Sequence, residues 1–311
     1  MKNLFRKALR PTNRRVRVLV GLLLAGLLAV QVTQSVATGP KPTVVVEAVG
    51  EEQVVTSDPS LLQELCHMAE TNHLALLKLC QAELNKGRYN HYTATFVKQE
   101  QIRGQLGPEQ HIRAKFMASP FSVAMTWTKN APTGNALVYV DGKFPDKTGR
   151  SQMVVQPTSN FLRRLVGGSV LRLPDGPDAM RNTLRPCTMF GFRNSLQSLI
   201  DVYELARKRG ECNEQWGYRD PKTGRDVKFA EVDGRKCIVL VRFLPRRKDY
   251  PARRTLIFID LEYLLPVQVI GYDWNDKFFC NYEYRDVNFS ADLGEKDFTP
   301  AANGITMKET K

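Results

Sequence analysis

The stretch from Thr255 to Tyr284 reads as three consecutive strands joined by two tight turns, with the sequences TLIFIDLE, LPVQVIGYDW and FFCNYEY. Pro266 stands where the second strand begins, so its missing N–H removes no ladder bond. Asn275-Asp276, between strand-like aromatic residues, is a hairpin signal. The first strand carries apolar residues on both faces, so it must be covered on both or border a cavity on one. This antiparallel meander, with an apolar face that other elements must cover, is therefore the sequence feature that constrains the fold most.

A second set of strands is predicted from Tyr92 onward, where the apolar residues recur with a period of two. The segments are YTATFVKQE, HIRAKF, FSVAMTWT, ALVYVDGK and QMVVQP. Alternation is clearest in the third segment, where Val123, Met125 and Trp127 alternate with small and hydroxyl residues. We therefore expect these three side chains on the covered face of the sheet.

Helices are predicted before and between the two sets of strands, at residues 59–87, 159–168 and 195–210. Asn194 is predicted to cap the last of them. The segment between the second and third helices, Gly167 to Gly191, is rich in proline and glycine and is interpreted as an irregular loop.

This order of elements predicts an α+β fold with a single curved antiparallel sheet. The sheet is expected to be an open half-barrel of about ten strands with helices covering the concave face. The chain then divides into an N-terminal signal peptide or membrane anchor (1–37), a linker (38–58), a half-barrel binding domain (59–300) and a polar C-terminal tail (301–311).

The N-terminus predicts export. Basic residues precede the apolar run VLVGLLLAGLLAV, and small residues follow up to Ala37, which is the layout of a signal peptide. The apolar run is 13 residues long, which is short for a membrane span, but no charge occurs between Val18 and Lys41, so the alternative of an uncleaved anchor across residues 18–37 stays open. Either interpretation places the rest of the chain in the periplasm or on the outer side of the cytoplasmic membrane.

The net charge of +13 is concentrated at the N-terminus, since residues 1–37 carry seven basic side chains and no acidic one. The remaining residues carry 38 basic and 32 acidic side chains, a net charge of +6. This mild excess does not call for a nucleic-acid partner.

The sequence contains none of the common catalytic or nucleotide-binding signatures, such as G-x-S-x-G, H-E-x-x-H or the P-loop. We therefore assign no catalytic, metal or cofactor residue. Carboxylates clustered in the meander leave a glycoside-hydrolase interpretation open, and Asp175 with Asp178 leave a calcium contact open. The six cysteines permit fifteen disulfide connectivities, but buried free thiols are the simpler interpretation.

Long motifs resemble a bacterial family known as domain of unknown function 1571, over roughly Leu74 to Ile305. They include YTATFVKQEQIRGQLGPEQHIRAKF, PFSVAMTWTKNAP, PDGPDAMRNTLRP, FGFRNSLQSLIDVY, IFIDLEYLLPVQVIGYDW and DFTPAANGI. The layout also resembles, more distantly, the envelope lipoprotein carriers and sensors of the LolA/LolB/RseB type. The shared features are Phe96-x-x-x-Glu100, Asp260…Leu265-Pro266 and Phe298-x-Pro300. This second resemblance implies a half-barrel with helices under its concave face and an apolar ligand cavity.

The apolar rows predict which side chains would line such a cavity: Phe96, Phe116, Met125 and Trp127 from the sheet, and Leu199 and Tyr203 from the covering helix. Its entrance is predicted at Gly167 to Gly191. Trp216 and Trp274, which we place on turns, are expected to be insensitive to ligand.

The expected function is that of an exported, non-catalytic binding protein for a lipid, an acyl chain or a lipoprotein segment, without a cofactor. The N-terminal segment would bring it to the cytoplasmic membrane. Two alternatives stay open: an envelope sensor or adaptor that binds another protein, and a hydrolase with paired carboxylates. A sensor would expose a large apolar patch outside the cavity.

Overall fold

The computed structural model describes residues 40–44, 46–54 and 58–307. Within them the chain forms four α-helices: α1 (Pro59–Thr71), α2 (His73–Asn85), α3 (Asn160–Val166) and α4 (Phe192–Lys208). No helix in this part of the chain has the length and apolar character that crossing a bilayer requires. The predicted export segment, residues 1–37, lies outside the described residues.

Most of the described chain is β-structure. The strands are β1 (Glu47–Val49), β2 (His91–Ile102), β3 (Gln105–Leu106), β4 (Gln110–Met117), β5 (Ser122–Lys129), β6 (Gly134–Val140), β7 (Met153–Pro157), β8 (Val170–Arg172), β9 (Asn213–Trp216), β10 (Tyr218–Arg219), β11 (Asp226–Val227), β12 (Phe229–Val232), β13 (Arg235–Phe243), β14 (Arg254–Asp260), β15 (Pro266–Tyr272) and β16 (Phe278–Asn288). Fourteen of them form one antiparallel sheet, and β10 pairs with β11 separately.

The sheet confirms the predicted class, a curved antiparallel sheet that does not close, but it has more strands than the ten expected. Its order is β1-β12-β13-β14-β15-β16-β2-β4-β5-β6-β7-β8, with β3 on β2 and β9 on β13. The strands that the sequence did not indicate, β1, β3, β8 and β9, have at most four residues. Such short segments contain too few alternations to be recognised.

The meander predicted from Thr255 to Tyr284 is confirmed as β14, β15 and β16. Pro266 is the first residue of β15. The turn that follows β15 is closed by Asp273, whose carboxylate accepts the backbone N–H of Asn275 and of Lys277. Asp276 in the same turn has φ +58°, a left-handed conformation that aspartate tolerates. At the centre of the sheet β16 pairs with β2, with Tyr284 opposite Phe96, and this pairing joins the two sets of strands.

We call strands β13–β16 the helix-covered half. There α1 and α2 pack on each other, α1 contacts β13, and α4 lies against α2 and β15. The contacts are made by fully buried apolar side chains, for example Leu76 of α2 and Leu196 of α4. A layer of amphipathic helices on one face of a sheet forms a single continuous core.

The start of α4 differs from the prediction. The helix begins at Phe192, two residues before Asn194, and Gly191 occupies the capping position. The side-chain amide of Asn194 instead donates to the backbone oxygens of Thr188 and Phe190, at 2.9 and 3.1 Å. Asn194 therefore ties the preceding segment to the first turn of α4.

Strands β4–β8 are called the cavity half. Their inner face carries Met125, Leu137 and Val155, which are paired across β5, β6 and β7. The outer face is covered by residues 295–305, the C-terminal segment. Its Phe298 and Ile305 are buried among the outward-facing residues Ala124, Ala136, Val138, Val140 and Val154. Residues 301–305, which begin the predicted polar tail, thus include a buried side chain.

Candidate functional site

A cavity of about 920 Å³ lies on the inner face of the sheet. It extends from β8 across β7, β6, β5, β4 and β2, and continues along one end of β13–β16. Its cover consists of α3, one side of α4 and the irregular segment of residues 173–191. Ligand-binding cavities commonly measure about 300–1,000 Å³, so this one is at the large end of that range.

Four of the six predicted site residues, Phe96, Met125, Trp127 and Leu199, line the cavity. The indole N–H of Trp127 donates to the side-chain oxygen of Gln110 at 2.7 Å. This bond satisfies the polar atom of Trp127 and fixes its ring in the cavity wall. That these four side chains bind a ligand stays a prediction.

Phe116 and Tyr203 do not line the cavity. Phe116 points to the inner face as expected, but it is stacked on Tyr92, with ring centres 5.0 Å apart, and Phe190 covers it. Tyr203 is fully buried and shares a hydrogen bond of 3.0 Å with Nδ1 of His73. The alternation gave the correct face for Phe116, but aromatic side chains fill the space above that end of the strand.

The segment Gly167 to Gly191, predicted as the entrance, forms a wall of the cavity. It contains β8 and two 3-10 turns, Ala179–Asn182 and Cys187–Met189. Gly191 fixes its end, where the backbone N–H donates to the hydroxyl of Tyr284 at 3.2 Å. Gly191 has φ +103°, and a Cβ there would lie 2.8 Å from the ring of Phe116. Only glycine fits this close passage between α4 and the sheet.

A buried ion pair holds the middle of the same segment. Lys98 and Glu100, neighbours on the inner face of β2, are joined at 3.1 Å. Lys98 also donates to the hydroxyl of Thr183, and Glu100 accepts from the backbone N–H of Leu184 and from the hydroxyl of Tyr282. The pair is therefore neutralised and hydrogen-bonded, as burial of charges requires, and it anchors the cover to β2.

Sequence reasoning missed other lining residues for two different reasons. Ile112, Leu137, Met153 and Val155 lie in the sheet wall and have the same parity as Met125, so alternation across the neighbouring strands could have identified them. Leu184 and Met189 belong to the irregular cover, where no periodicity indicates the direction of a side chain. Trp216 was wrongly placed on a turn, since it is the last residue of β9.

One lining residue, Arg242 at the end of β13, is a buried cation. Its side chain is 1% exposed. One guanidinium nitrogen, Nη2, donates to the hydroxyl of Thr255 at 3.3 Å, while Nε and Nη1 have no hydrogen-bond partner. The guanidinium lies over the ring of Tyr203, 4.8 Å from its centre. Burial lowers the pKa of Arg242.

The carboxylates that suggested hydrolytic or calcium chemistry have structural partners. Asp260 is paired with Arg235 and accepts the backbone N–H groups of Glu262 and Tyr263. Asp175 pairs with Arg150, and Asp178 lies between Arg172 and Arg181. Among the described residues, no three histidine, cysteine or acidic side chains are grouped as a metal site would need.

The six cysteines are free thiols, of which Cys80, Cys237 and Cys280 are buried and Cys66, Cys187 and Cys212 are half-buried. Burial raises the pKa of Cys80, Cys187 and Cys280 to about 12. Because the thiolate is the reactive form, the raised pKa lowers the reactivity of these side chains at neutral pH. Cys187 lies in the cavity wall with its sulfur 3.7 Å from that of Met153.

An exposed apolar patch borders the cavity at α3. Phe161 and Leu165, one helical turn apart, are 74% and 72% exposed. Other members of this group, here named the α3 patch, are Leu162, Leu171 and Met189. Leu162 and Met189 also line the cavity, so the patch is continuous with its wall.

Several solved structures are similar to this chain at low identity. A chain of the complex of Pseudomonas aeruginosa MucA and MucB is 14% identical, and the alignment covers 75% of this chain and 64% of that one with a TM-score of 0.40. A putative outer membrane lipoprotein-sorting protein domain from Vibrio parahaemolyticus is 12% identical. The alignment covers 73% of this chain and 97% of that one, with a TM-score of 0.33. A LolA superfamily protein from Nitrosomonas europaea is 10% identical. The alignment covers 72% of this chain and 98% of that one, with a TM-score of 0.22.

The comparison with sequence families is more specific. No curated protein sequence matches the chain. The family described as "Protein of unknown function (DUF1571)" matches residues 89–305 and leaves out α1 and α2, which the motif resemblance had included in part. The match covers more than half of the chain and begins just before β2, so the protein belongs to the DUF1571 family.

Proposed function

We propose that this protein binds an amphiphile with a long apolar chain, such as a membrane lipid or an acylated segment, and acts as a carrier in the cell envelope. The observation that carries the proposal is the cavity of about 920 Å³ with a mainly apolar wall. Burial stabilises an apolar chain by about 0.8 kcal/mol per methylene, so about twelve methylenes supply about 10 kcal/mol before the entropy of binding is subtracted.

Binding rather than catalysis is favoured by the state of the polar groups around the cavity. The acidic residues of the cavity lining, Glu100, Asp178 and Asp249, each form an ion pair with a cationic side chain. A general acid or base needs a carboxyl group that can exchange a proton with substrate. The envelope location rests on the export signal predicted in residues 1–37.

A second candidate function, an adaptor for another envelope protein, is favoured by the α3 patch. An exposed apolar patch outside a cavity is the feature expected of a protein-binding sensor. Phe161→Ser combined with Leu165→Ser should remove binding to such a partner and leave ligand binding intact. The carrier proposal is ranked first because α3 also borders the cavity.

The direct test is extraction of lipids from the full chain purified under native conditions, followed by mass spectrometry. A carrier should release an acyl-chain compound in near-stoichiometric amount. Recovery of no such compound, together with no uptake of added long-chain lipids, would remove the carrier proposal and leave the adaptor.

Tryptophan emission gives a second test in solution. A ligand in the cavity should quench or shift the emission of Trp127, and Trp127→Ala should weaken binding. Trp274, in the turn after β15, should not respond.

Val155→Phe adds volume to the cavity wall and should reduce ligand affinity at least tenfold. Thr128→Phe adds the same ring at an exposed position of β5 and is the matched control.

A further inference from the structure

The cavity contains a positive charge that the protein itself does not neutralise. Arg242 carries five N–H donors, of which one is bonded to a neutral hydroxyl at 3.3 Å, and both Nε and Nη1 lack a partner. Arginine stays protonated even when buried. Leaving a buried charge unpaired costs several kcal/mol, so a residue in this state requires an explanation.

The acidic side chain whose charge acts on Arg242 already accepts hydrogen bonds from other groups. Glu214, whose charge acts on Arg242, accepts two hydrogen bonds from Arg207 at 2.9 Å and the backbone N–H of His73 at 2.9 Å. The ring of Tyr203 supplies a cation–π contact only. Among the described residues, no carboxylate forms an ion pair with Arg242.

A second cation in the cavity wall, the half-buried Arg185, also lacks an acidic partner. The guanidinium of Arg185 lies 5.4 Å from the centre of the Tyr282 ring and has no acidic partner within the described chain. The charge of Arg185 contributes to lowering the pKa of Arg242, so the two cations act on each other. Of the other cations in the lining, Lys98 is paired with Glu100, and Arg172 and Arg181 share Asp178. Lys248 lies at an exposed position and has no ion pair among the described residues.

We infer that the ligand carries an anionic head group, a carboxylate or a phosphate, which Arg242 binds with help from Arg185 while the apolar chain extends over the inner face towards β5. This inference rests on the proposed function and names its ligand class. The guanidinium fork matches both anions with two parallel hydrogen bonds. An anion on the cavity side of Arg242 compensates the charge that no carboxylate of the described chain neutralises.

The dimensions agree with this arrangement. Six strand spacings separate β13, which carries Arg242, from β5, which carries Trp127. At about 4.8 Å per spacing the path along the sheet is about 29 Å. One acyl chain of a membrane lipid spans half of the ~30 Å hydrocarbon core, about 15 Å. A chain held by its head at Arg242 therefore fits within the cavity.

The test uses the delipidated full chain with bound N-phenyl-1-naphthylamine, an apolar fluorescent probe, at pH 8. Competitors are oleate, methyl oleate, oleoyl lysophosphatidate and inorganic phosphate. Oleate or the lysophosphatidate should displace the probe at a concentration at least tenfold lower than methyl oleate. The better of the two identifies the head group as a carboxylate or a phosphate.

Variants assign the effect to the residue. Arg242→Met should abolish the preference for the charged lipid and leave displacement by methyl oleate unchanged, and Arg185→Met should reduce the preference. Arg193→Met, at an exposed position of α4, should keep it. The wild-type comparison needs no variant and stands even if Arg242→Met does not fold.

Three outcomes contradict the inference, and they are distinguishable. Equal displacement by oleate, the lysophosphatidate and methyl oleate would overturn the anionic head but keep the apolar cavity. Displacement by inorganic phosphate alone would show a free-anion site and overturn the amphiphile. If neither the probe nor any lipid binds, the proposed function fails as well.

Discussion

The two halves of the sheet present similar apolar strands to different covers. In the helix-covered half, α1, α2 and α4 place closely spaced side chains such as Leu76 and Leu196 on the strands and leave them fully buried. In the cavity half, the cover is the short α3 and residues 173–191, and a large cavity remains. The strands alone therefore do not determine whether a core or a cavity forms. The regularity of the covering chain does, because a helix presents an unbroken apolar stripe and a proline-rich segment does not.

The largest effect on stability is expected in α4, which packs into the core on one side and borders the cavity on another. Leu196 is 0% exposed in the core, and Leu199, one turn later, is 8% exposed at the cavity. Leu196→Ala should lower the free energy of unfolding by about 3–5 kcal/mol, because it creates a new void. Leu199→Ala enlarges an existing cavity and should cost about 1–2 kcal/mol less. Urea denaturation of both variants would measure the difference, and equal losses would contradict the distinction between the halves.

The next effect concerns the two faces of β5. Met125→Asp places an unpaired carboxylate in the apolar wall and should lower stability by about 3 kcal/mol. Thr126→Asp, on the half-buried outer face, should cost less than about 1 kcal/mol. Thermal unfolding of the two variants tests the assignment of faces, which equal destabilisation would contradict.

Acid should weaken the helix-covered half through His73. Its ring is fully buried between Tyr203 and the backbone oxygen of Ala69, and burial lowers its pKa below the usual 6.5. Below pH 6.5 the unfolded chain therefore takes up a proton that the folded protein does not. Stability is complete above pH 6.5 and should fall by up to about 1.4 kcal/mol per pH unit below it, until the folded-state pKa is reached.

The measurement is the midpoint of urea unfolding between pH 7.5 and 5. His73→Phe cannot titrate and should remove this part of the pH dependence, even though it loses two hydrogen bonds. An unchanged slope in the variant would show that another group is responsible.

The smallest effect is expected in the cavity half, at Glu109 beside β4. Burial opposes its ionisation, but hydrogen bonds from Thr43, His111 and Lys129 outweigh burial and lower its pKa to about 2. Its contribution is thus present above pH 4.5 and lost as the pH falls towards 2. Glu109→Gln should cost about 1 kcal/mol or less at pH 6 and only a small part of that at pH 2. Acid titration of unfolding, compared with the wild type, checks both values.

The sheet could be predicted because its long strands have unambiguous periodicity, and the cavity could be predicted only in part. Alternation placed Met125 and Phe116 on the same face of the sheet, correctly. Met125 borders the cavity, whereas Phe116 is covered by Phe190. The sequence could not show this difference, because Phe190 lies in a segment without periodicity. Likewise nothing in KCIVLVRFL marks Arg242 as buried, since an arginine near a strand end is ordinarily exposed. Its state depends on Tyr203 and Thr255, which are distant in sequence.

The position of the C-terminal segment has a consequence for the empty protein. Phe298 and Ile305 bury the outer face of the strands whose inner face borders the cavity. A sheet needs a hydrophobic layer on at least one side, and here that layer lies behind the cavity wall rather than within it. Filling or emptying the cavity leaves these contacts in place. These strands therefore keep one buried apolar face whether or not the cavity is occupied, and the ligand-free protein is expected to keep an intact cavity wall.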